Sequence, residues 1–138
     1  MNSKIALITG ATAGIGEATA YKFAKGGYNV IITGRRGERL NELAKIIESK
    51  NKVKVLPLVF DVRNRIEVEE AINSLSKDWR SIDILVNNAG LASGLSTIDE
   101  GDIEDWEVMI DTNIKGLLYV SRGVIPLMIE NKKGQIIN

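Results

Sequence analysis

Three glycines stand at positions 10, 14 and 16, directly after a short apolar run. The segment reads Thr9-Gly10-Ala11-Thr12-Ala13-Gly14-Ile15-Gly16. A strand that turns through glycines into a helix exposes several backbone N–H groups at one point, and the helix dipole adds positive potential there. The spacing therefore predicts an anion site over residues 10–16, and the anion we expect is the diphosphate of a dinucleotide. A glycine-rich connection without a ligand is the alternative.

Two adjacent arginines, Arg35 and Arg36, follow the second apolar run. They lie about 20 residues beyond the glycines, where dinucleotide-binding folds distinguish NAD from NADP. A carboxylate there binds the ribose hydroxyls of NAD, whereas guanidinium groups match the oxygens of a phosphate. This pair predicts a preference for NADP over NAD. The alternative is the charged, solvated start of a helix.

The composition limits the chemistry that this chain supports. It has no Cys and no His among 138 residues, so any proton transfer must use Tyr, Lys, Asp, Glu or water. Its formal net charge is zero, which gives no electrostatic reason to expect nucleic acid or a membrane surface as a partner. The apolar runs are too short for a membrane span or a signal peptide, so we expect a cytoplasmic location.

The chemistry-bearing residues are separated by elements whose hydrophobic period alternates. Five short apolar runs indicate strands, and helical spacing connects them. This alternation predicts one α/β domain over residues 1–138, a doubly wound parallel sheet of order 3-2-1-4-5 in three αβα layers. The predicted strands are Ile5–Ile8, Val30–Ile32, Val53–Phe60, Ile82–Val86 and one beginning at Ile136; the predicted helices are 15–25, a stripe over 40–47, a stripe over 68–75, and 103–129 with Pro126 kinking its last turns.

The glycine spacing resembles the TGxxxGxG motif of the short-chain dehydrogenase/reductase family. The string Asn87-Asn88-Ala89-Gly90 after an apolar strand is a second mark of that family, and the similarity spans essentially the whole chain. Many members that prefer NADP carry a basic residue just before the second motif glycine. This chain has Ala13 there, so its NADP preference depends on Arg35 and Arg36.

The resemblance also implies roles for residues whose function cannot be decided from residue type alone. Asp61 reads equally well as a turn former, but the family places Asp61 and Val62 beside adenine. Asn88, Ala89 and Gly90 are expected near a ribose. By residue type Asn113 would face solvent, since Asn is a poor residue inside a helix. The family gives an Asn of this N-x-x-G step a catalytic role beside a distorted helix turn, so Asn113 is the expected catalytic residue.

The remaining catalytic residues of the family, a Ser and a Tyr-x-x-x-Lys pair, follow the fifth strand, where the printed sequence stops. Tyr21 and Lys25 have the same spacing but lie in the first helix, so we assign them no catalytic role. We therefore expect a truncated, cofactor-binding portion that turns over no substrate alone. A shortened chain is also expected to expose part of the helix over 103–129 and to associate through it as a homo-oligomer. The residues expected to lose cover are Leu117, Leu118, Val120, Val124 and Ile125.

Longer segments resemble a subgroup of the family, the bacterial NADP-dependent 3-hydroxy acid dehydrogenases. They include Trp79–Leu95, Ile103–Asn138 and Asp61–Arg65. The resemblance implies hydride transfer between nicotinamide and the carbonyl or alcohol of a small, serine-like 3-hydroxy acid. Two alternatives stay open: a 3-oxoacyl carrier-protein reductase, and a non-catalytic module that binds or senses a dinucleotide.

Overall fold

The computed structural model describes residues 3–138 and contains the predicted alternation of strands and helices. Its elements in chain order are β1 (Ile5–Ile8), α1 (Gly14–Lys25), β2 (Asn29–Gly34), α2 (Gly37–Lys50), β3 (Val55–Val59), α3 (Arg65–Asn73), a 3₁₀ turn (Lys77–Trp79), β4 (Ile84–Val86), α4 (Ile103–Ile110), a π-helical turn (Asp111–Gly116), α5 (Leu117–Glu130) and β5 (Gln135–Ile137).

The strands form one parallel sheet in the order β3-β2-β1-β4-β5, which confirms the predicted order. In the central register Leu7 of β1 lies between Ile31 of β2 and Leu85 of β4. The chain leaves β1 towards one edge and returns to β4 on the other side of β1. The carboxyl ends of β1 and β4 therefore diverge into different connections, and such a switch point leaves a crevice for a ligand.

Each face of the sheet is covered by its own helices, because successive strand residues point to opposite sides. Ala6 and Ile8 of β1 belong to a core shared with α1 and α2, which supply Ala20, Leu40 and Ile47. Ile5 and Leu7 belong to a second core, in which α3 and α5 supply Val68, Ile72, Val120 and Val124. All these side chains are at least 95% buried, so helices cover both faces of the sheet at β1.

The long helix predicted over 103–129 is divided by the π-helical turn, which supplies the distorted turn expected at Asn113, and α5 contains Pro126. The expected exposure of Val120 and Val124 needs correction. Val120 and Val124 are fully buried, because they pack against α3 and the sheet within this chain. Leu118 and Ile125 are exposed, as expected. The other large apolar side chains left exposed on this segment are Ile103, Trp106, Ile110, Ile114 and Ile129.

Two kinds of feature are absent from residues 3–138. None of the helices there combines the length and the apolar character that crossing a bilayer requires. No group of three or more acidic side chains is placed to share a metal ion in the same residues.

Candidate functional site

The turn from β1 into α1 leaves backbone donors facing open space. Gly10 and Gly14 have positive φ values of 62° and 57°, which favour glycine. In the described residues, no side chain caps α1 at Ala13. The first-turn amides, those of Gly14, Ile15 and Gly16, therefore have no capping acceptor. A Cβ placed on Gly14 would meet nothing within 4 Å, and its neighbours Ala13 and Ile15 line the cavity described below, so this helix end is open to a ligand.

The same turn is fixed to the end of β4 by side chains. The Nδ2 of Asn88 donates to the carbonyls of Thr9 and Gly10, each at 3.1 Å. The hydroxyl of Thr9 accepts from the amides of Asn88 and Ala89 at 3.0 and 2.9 Å. A Cβ on Gly16 would collide with the carbonyl oxygen of Gly10 and with the Asn88 amide, so only glycine fits there.

The start of α2 holds the other side of the turn. Arg36 donates to the Thr12 hydroxyl at 3.0 Å, and Arg39 donates to the Thr12 carbonyl at 3.1 Å and to Glu17 at 3.1 Å. The amide of Ala11 donates to the Thr33 carbonyl at 3.0 Å, and its side chain is fully buried. Ala11 and Arg36 therefore brace the turn, whereas Arg35 lines the space beside it.

A cavity of about 480 Å³ extends from this turn across the carboxyl ends of the strands. Two of its residues, Thr33 and Thr112, are buried and have hydroxyl oxygens without a hydrogen-bond partner in the described residues. Buried polar atoms that lack partners mark positions where a ligand can supply them. The cavity is lined by Gly10, Thr12, Ala13, Ile15, Thr33, Gly34, Arg35, Phe60, Asp61, Val62, Arg63, Asn88, Ala89, Gly90, Leu91 and Thr112.

At the end of the cavity next to β3, Asp61 supplies a carboxylate whose direction is fixed by hydrogen bonds. Arg63 donates to Asp61 from its backbone amide at 3.0 Å, from Nε to both oxygens at 3.1 Å, and from Nη2 at 2.7 Å. These bonds lower the pKa of Asp61 below its usual value, with a smaller electrostatic contribution from Arg35. Asp61 is thus an ionised acceptor near neutral pH.

Asn113 lies in the π-helical turn and bridges to the chain after β4. Its Oδ1 accepts from the Leu91 amide at 2.9 Å, and its Nδ2 donates to the Leu91 carbonyl at 2.8 Å. A Cβ on Gly90 would lie 3.2 Å from the same Oδ1, so the chain passes close to the helix here. The side-chain amide thus couples the turn to the rim of the cavity.

The structure brings most of the expected site residues to one cavity. Five, among them Gly14, lie outside its lining. Ala11 and Arg36 brace the turn, Gly16 packs beneath it, and Asn113 contacts Leu91 at the rim. Gly14 stands at the open helix end. Tyr21 packs in the core shared by α1 and α2, with the Lys50 ammonium 5.8 Å from its ring centroid. Sequence reasoning missed Thr9, Thr33, Arg63, Leu91 and Thr112.

Residues 4–138 match the sequence model of the short chain dehydrogenase family. Over 134 residues the chain is 52% identical to the NADP-dependent 3-hydroxy acid dehydrogenase YdfG of Salmonella typhi, an alignment that covers 97% of this chain and 52% of that protein. The chain therefore spans about half the length of the curated relatives it matches.

Solved structures show the same similarity. Serine dehydrogenase from Escherichia coli is 50% identical with a TM-score of 0.90, over 97% of this chain and 60% of that one. A closed form of serine dehydrogenase complexed with NADP+ is 51% identical with a TM-score of 0.88, over 97% and 52% respectively. The match to the family model spans nearly all of the residues, and on that ground the chain belongs to the short chain dehydrogenase family.

Proposed function

We propose that the cavity binds NADP(H). One observation carries this proposal: a single cavity of about 480 Å³ joins the uncapped start of α1 to Arg35 and Asp61, with no carboxylate at the tip of β2. The donor set fits the cofactor, because backbone amides and a guanidinium group suit phosphates. The hydroxyls of Thr33 and Thr112, which have no partner within residues 3–138, suit polar ligand atoms.

Each part of the cofactor has its expected residues. Residues 10–16 hold the diphosphate, with Gly10, Thr12, Ala13, Gly14 and Ile15 at the open surface and Ala11 and Gly16 shaping the turn from behind. Arg35 takes the 2′-phosphate, supported by Arg36. Asp61 and Val62 are expected to contact the adenine base. Asn88, Ala89 and Gly90 are expected to lie beside a ribose.

We propose that the protein is an oxidoreductase acting on a small 3-hydroxy acid. The relatives named as 3-hydroxy acid and serine dehydrogenases support this substrate class. NADP, when bound, supplies the hydride acceptor or donor. In this chain Asn113 contributes to the catalytic site by fixing the Leu91 backbone at the rim of the cavity.

The printed 138 residues contain Asn113 but no Ser or Tyr-x-x-x-Lys after β5. A general acid–base group typically contributes ~10²–10⁴ in rate. We therefore expect purified 138-residue polypeptide to bind NADP(H) without oxidising or reducing a 3-hydroxy acid or its keto form. Sustained turnover in a spectrophotometric assay of that polypeptide would contradict this expectation.

Calorimetric titration with NADP+ and NAD+ tests the cofactor assignment. Charge-assisted hydrogen bonds contribute ~1.5–3 kcal/mol, so we expect Arg35→Met to weaken NADP+ binding about tenfold or more and NAD+ binding less than about twofold. Arg122→Met, which removes a guanidinium from exposed α5, is the matched control and should change neither. Equal affinity of the unaltered chain for both cofactors would contradict the NADP preference, and binding of neither would overturn the cofactor proposal.

We further propose that copies of the chain associate through α4 and α5. The support is the row of exposed apolar side chains on this segment, of which Leu118 is 57% and Ile129 71% exposed. Contiguous apolar surface of this kind favours protein–protein contact. Replacing Leu118 and Ile129 by Lys should shift sedimentation towards a smaller species, and an unchanged sedimentation coefficient would contradict this interface.

A further inference from the structure

Asp61 and Arg63 are joined by more hydrogen bonds than a simple ion pair has. Both carboxylate oxygens of Asp61 accept from Arg63, and the backbone amide of Arg63 adds a third donor. The side chains are 23% and 33% exposed, and both residues line the cavity. Such a contact fixes the direction in which the remaining lone pairs of Asp61 point.

The segment that contains this pair is already held without the guanidinium group. The Asn64 amide donates to the Asp61 carbonyl at 3.0 Å, and the Asp61 amide donates to Glu67 at 2.9 Å. Asn64 also caps α3, its side-chain oxygen accepting from the amides of Ile66 and Glu67. The main chain over 61–64 therefore keeps its shape through Asn64 and Glu67, and the Arg63 side chain is not needed for that.

A second cation, Arg35, suggests a further role for the Arg63 guanidinium group. Arg35 lies on the same cavity wall and acts electrostatically on the Asp61 carboxylate. Without the Arg63 guanidinium group, Asp61 would keep only the backbone amide of residue 63 on Oδ1, and its other oxygen would be left to turn towards Arg35 and pair with it. That pairing would occupy the group proposed to bind the 2′-phosphate and would turn the carboxylate away from the base.

We propose that Arg63 is a positioning residue, which presents the Asp61 carboxylate to the amino group of the adenine base and keeps it apart from Arg35. This inference rests on the proposed binding of NADP(H) in the cavity. Arg63 acts through Asp61 and is not assigned a contact with the reacting atoms. It makes discrimination among purine bases depend on a side chain outside the glycine motif.

The test compares NADP+ with its hypoxanthine analogue, which has a carbonyl oxygen in place of the amino group. Titrations use the unaltered chain, Arg63→Met, Arg63→Lys and Asp61→Asn. A hydrogen bond to a charged group corresponds to about a tenfold preference for NADP+. We expect Arg63→Met and Asp61→Asn each to reduce that preference to about twofold or less, and Arg63→Lys, with one donor group instead of a fork, to give an intermediate value.

Arg65→Met is the control, because Arg65 pairs with Glu69 on the exposed side of α3. It should leave the ratio of the two affinities unchanged. If Arg63→Met leaves the ratio of the two affinities unchanged, whether or not both ligands bind more weakly, the positioning role is overturned. Failure of the unaltered chain to bind either ligand would instead overturn the proposed function, and thermal unfolding of the free variants separates both outcomes from loss of the fold.

Discussion

The two ends of the cavity are built differently. At the glycine turn the donors are backbone amides, and the turn is tied to β4 through Asn88 and Thr9. At the other end the acceptor is one carboxylate, Asp61, whose direction is set by another side chain, Arg63. The donors at the first end depend on the path of the main chain, whereas the acceptor at the second end depends on two side chains.

This difference separates affinity from selectivity. Backbone donors recognise any diphosphate, and changing them means moving the main chain at the sheet switch point. A carboxylate held by a partly exposed arginine recognises one base edge and is altered by a single substitution. We therefore expect changes at the glycine turn to affect the fold and all dinucleotides together, and changes around Asp61 to alter mainly the choice among them.

The largest effect is expected from Gly16→Ala at the glycine end. The new Cβ would collide with the backbone of Gly10. We therefore expect the free energy of unfolding, measured in denaturant, to fall by about 3 kcal/mol. Gly14→Ala is the matched control: it has free space but a φ of 57°, which costs a non-glycine residue roughly 1 kcal/mol. Equal losses in the two variants would show that backbone conformation, and not packing beneath the turn, limits this end.

A smaller loss is expected from Asn88→Ala. It removes two hydrogen bonds that tie β4 to the carbonyls of Thr9 and Gly10, at about 1 kcal/mol each. Asn51→Ala, which removes a single side-chain bond to the last turn of α2, should cost about half as much. Urea unfolding compares them, and an Asn88 variant no less stable than the Asn51 variant would contradict the tie between the strands.

Thr112→Val is expected to change stability and binding in opposite directions. Its hydroxyl is buried and has no partner in residues 3–138, so replacing it with a methyl should raise the free energy of unfolding by roughly 0.5–1 kcal/mol. NADP+ binding should weaken at the same time if the ligand supplies the missing partner. Thr19→Val is the control: the Thr19 hydroxyl donates to the Ile15 carbonyl at 2.7 Å, so this variant should gain no stability. A destabilised Thr112 variant would contradict this interpretation.

The smallest effect concerns acid stability at the Asp61 end. Because Arg63 lowers the pKa of Asp61 in the folded chain, the pair stabilises the fold above the ordinary carboxyl pKa of 3.8 and loses this contribution as pH falls through the lower folded value. We expect Asp61→Asn to cost less than about 1 kcal/mol at pH 7, with the difference disappearing in strong acid. Calorimetry from pH 7 to strong acid measures it, and a difference that grows in acid would have the wrong sign.

Much of this arrangement followed from short-range patterns. The strand order and the first three helices were predicted because apolar runs and i, i+3, i+4 stripes reflect burial directly. Strands β3 and β4 are shorter than predicted, at Val55–Val59 and Ile84–Val86, although Phe60 and Asp83 still donate to the neighbouring strand. The glycine turn was predicted because its residues are consecutive.

The partnerships between distant residues could not be predicted in this way. Thr9 with Ala89, Thr12 with Arg39 and Asn113 with Leu91 join residues 80, 27 and 22 positions apart. No local periodicity encodes such pairs. Arg63 could not be predicted for another reason. An arginine two residues after an aspartate is common on surfaces, and its role is indicated only by the position of the Asp61–Arg63 contact in the cavity wall.

The π-helical turn over Asp111–Gly116 has a consequence for how this segment tolerates change. Such a turn is an α-helix with one surplus residue, and each helical residue advances the azimuth by about 100°. The surplus residue is absorbed by widening one turn, so deleting one residue there would restore an ordinary α-helical turn and leave Val120 and Val124 nearly in phase with α3. Deleting one residue from α5 before Val120 would instead rotate both side chains by that angle and remove them from the core. The π-helical turn should therefore accept a single-residue deletion that α5 does not.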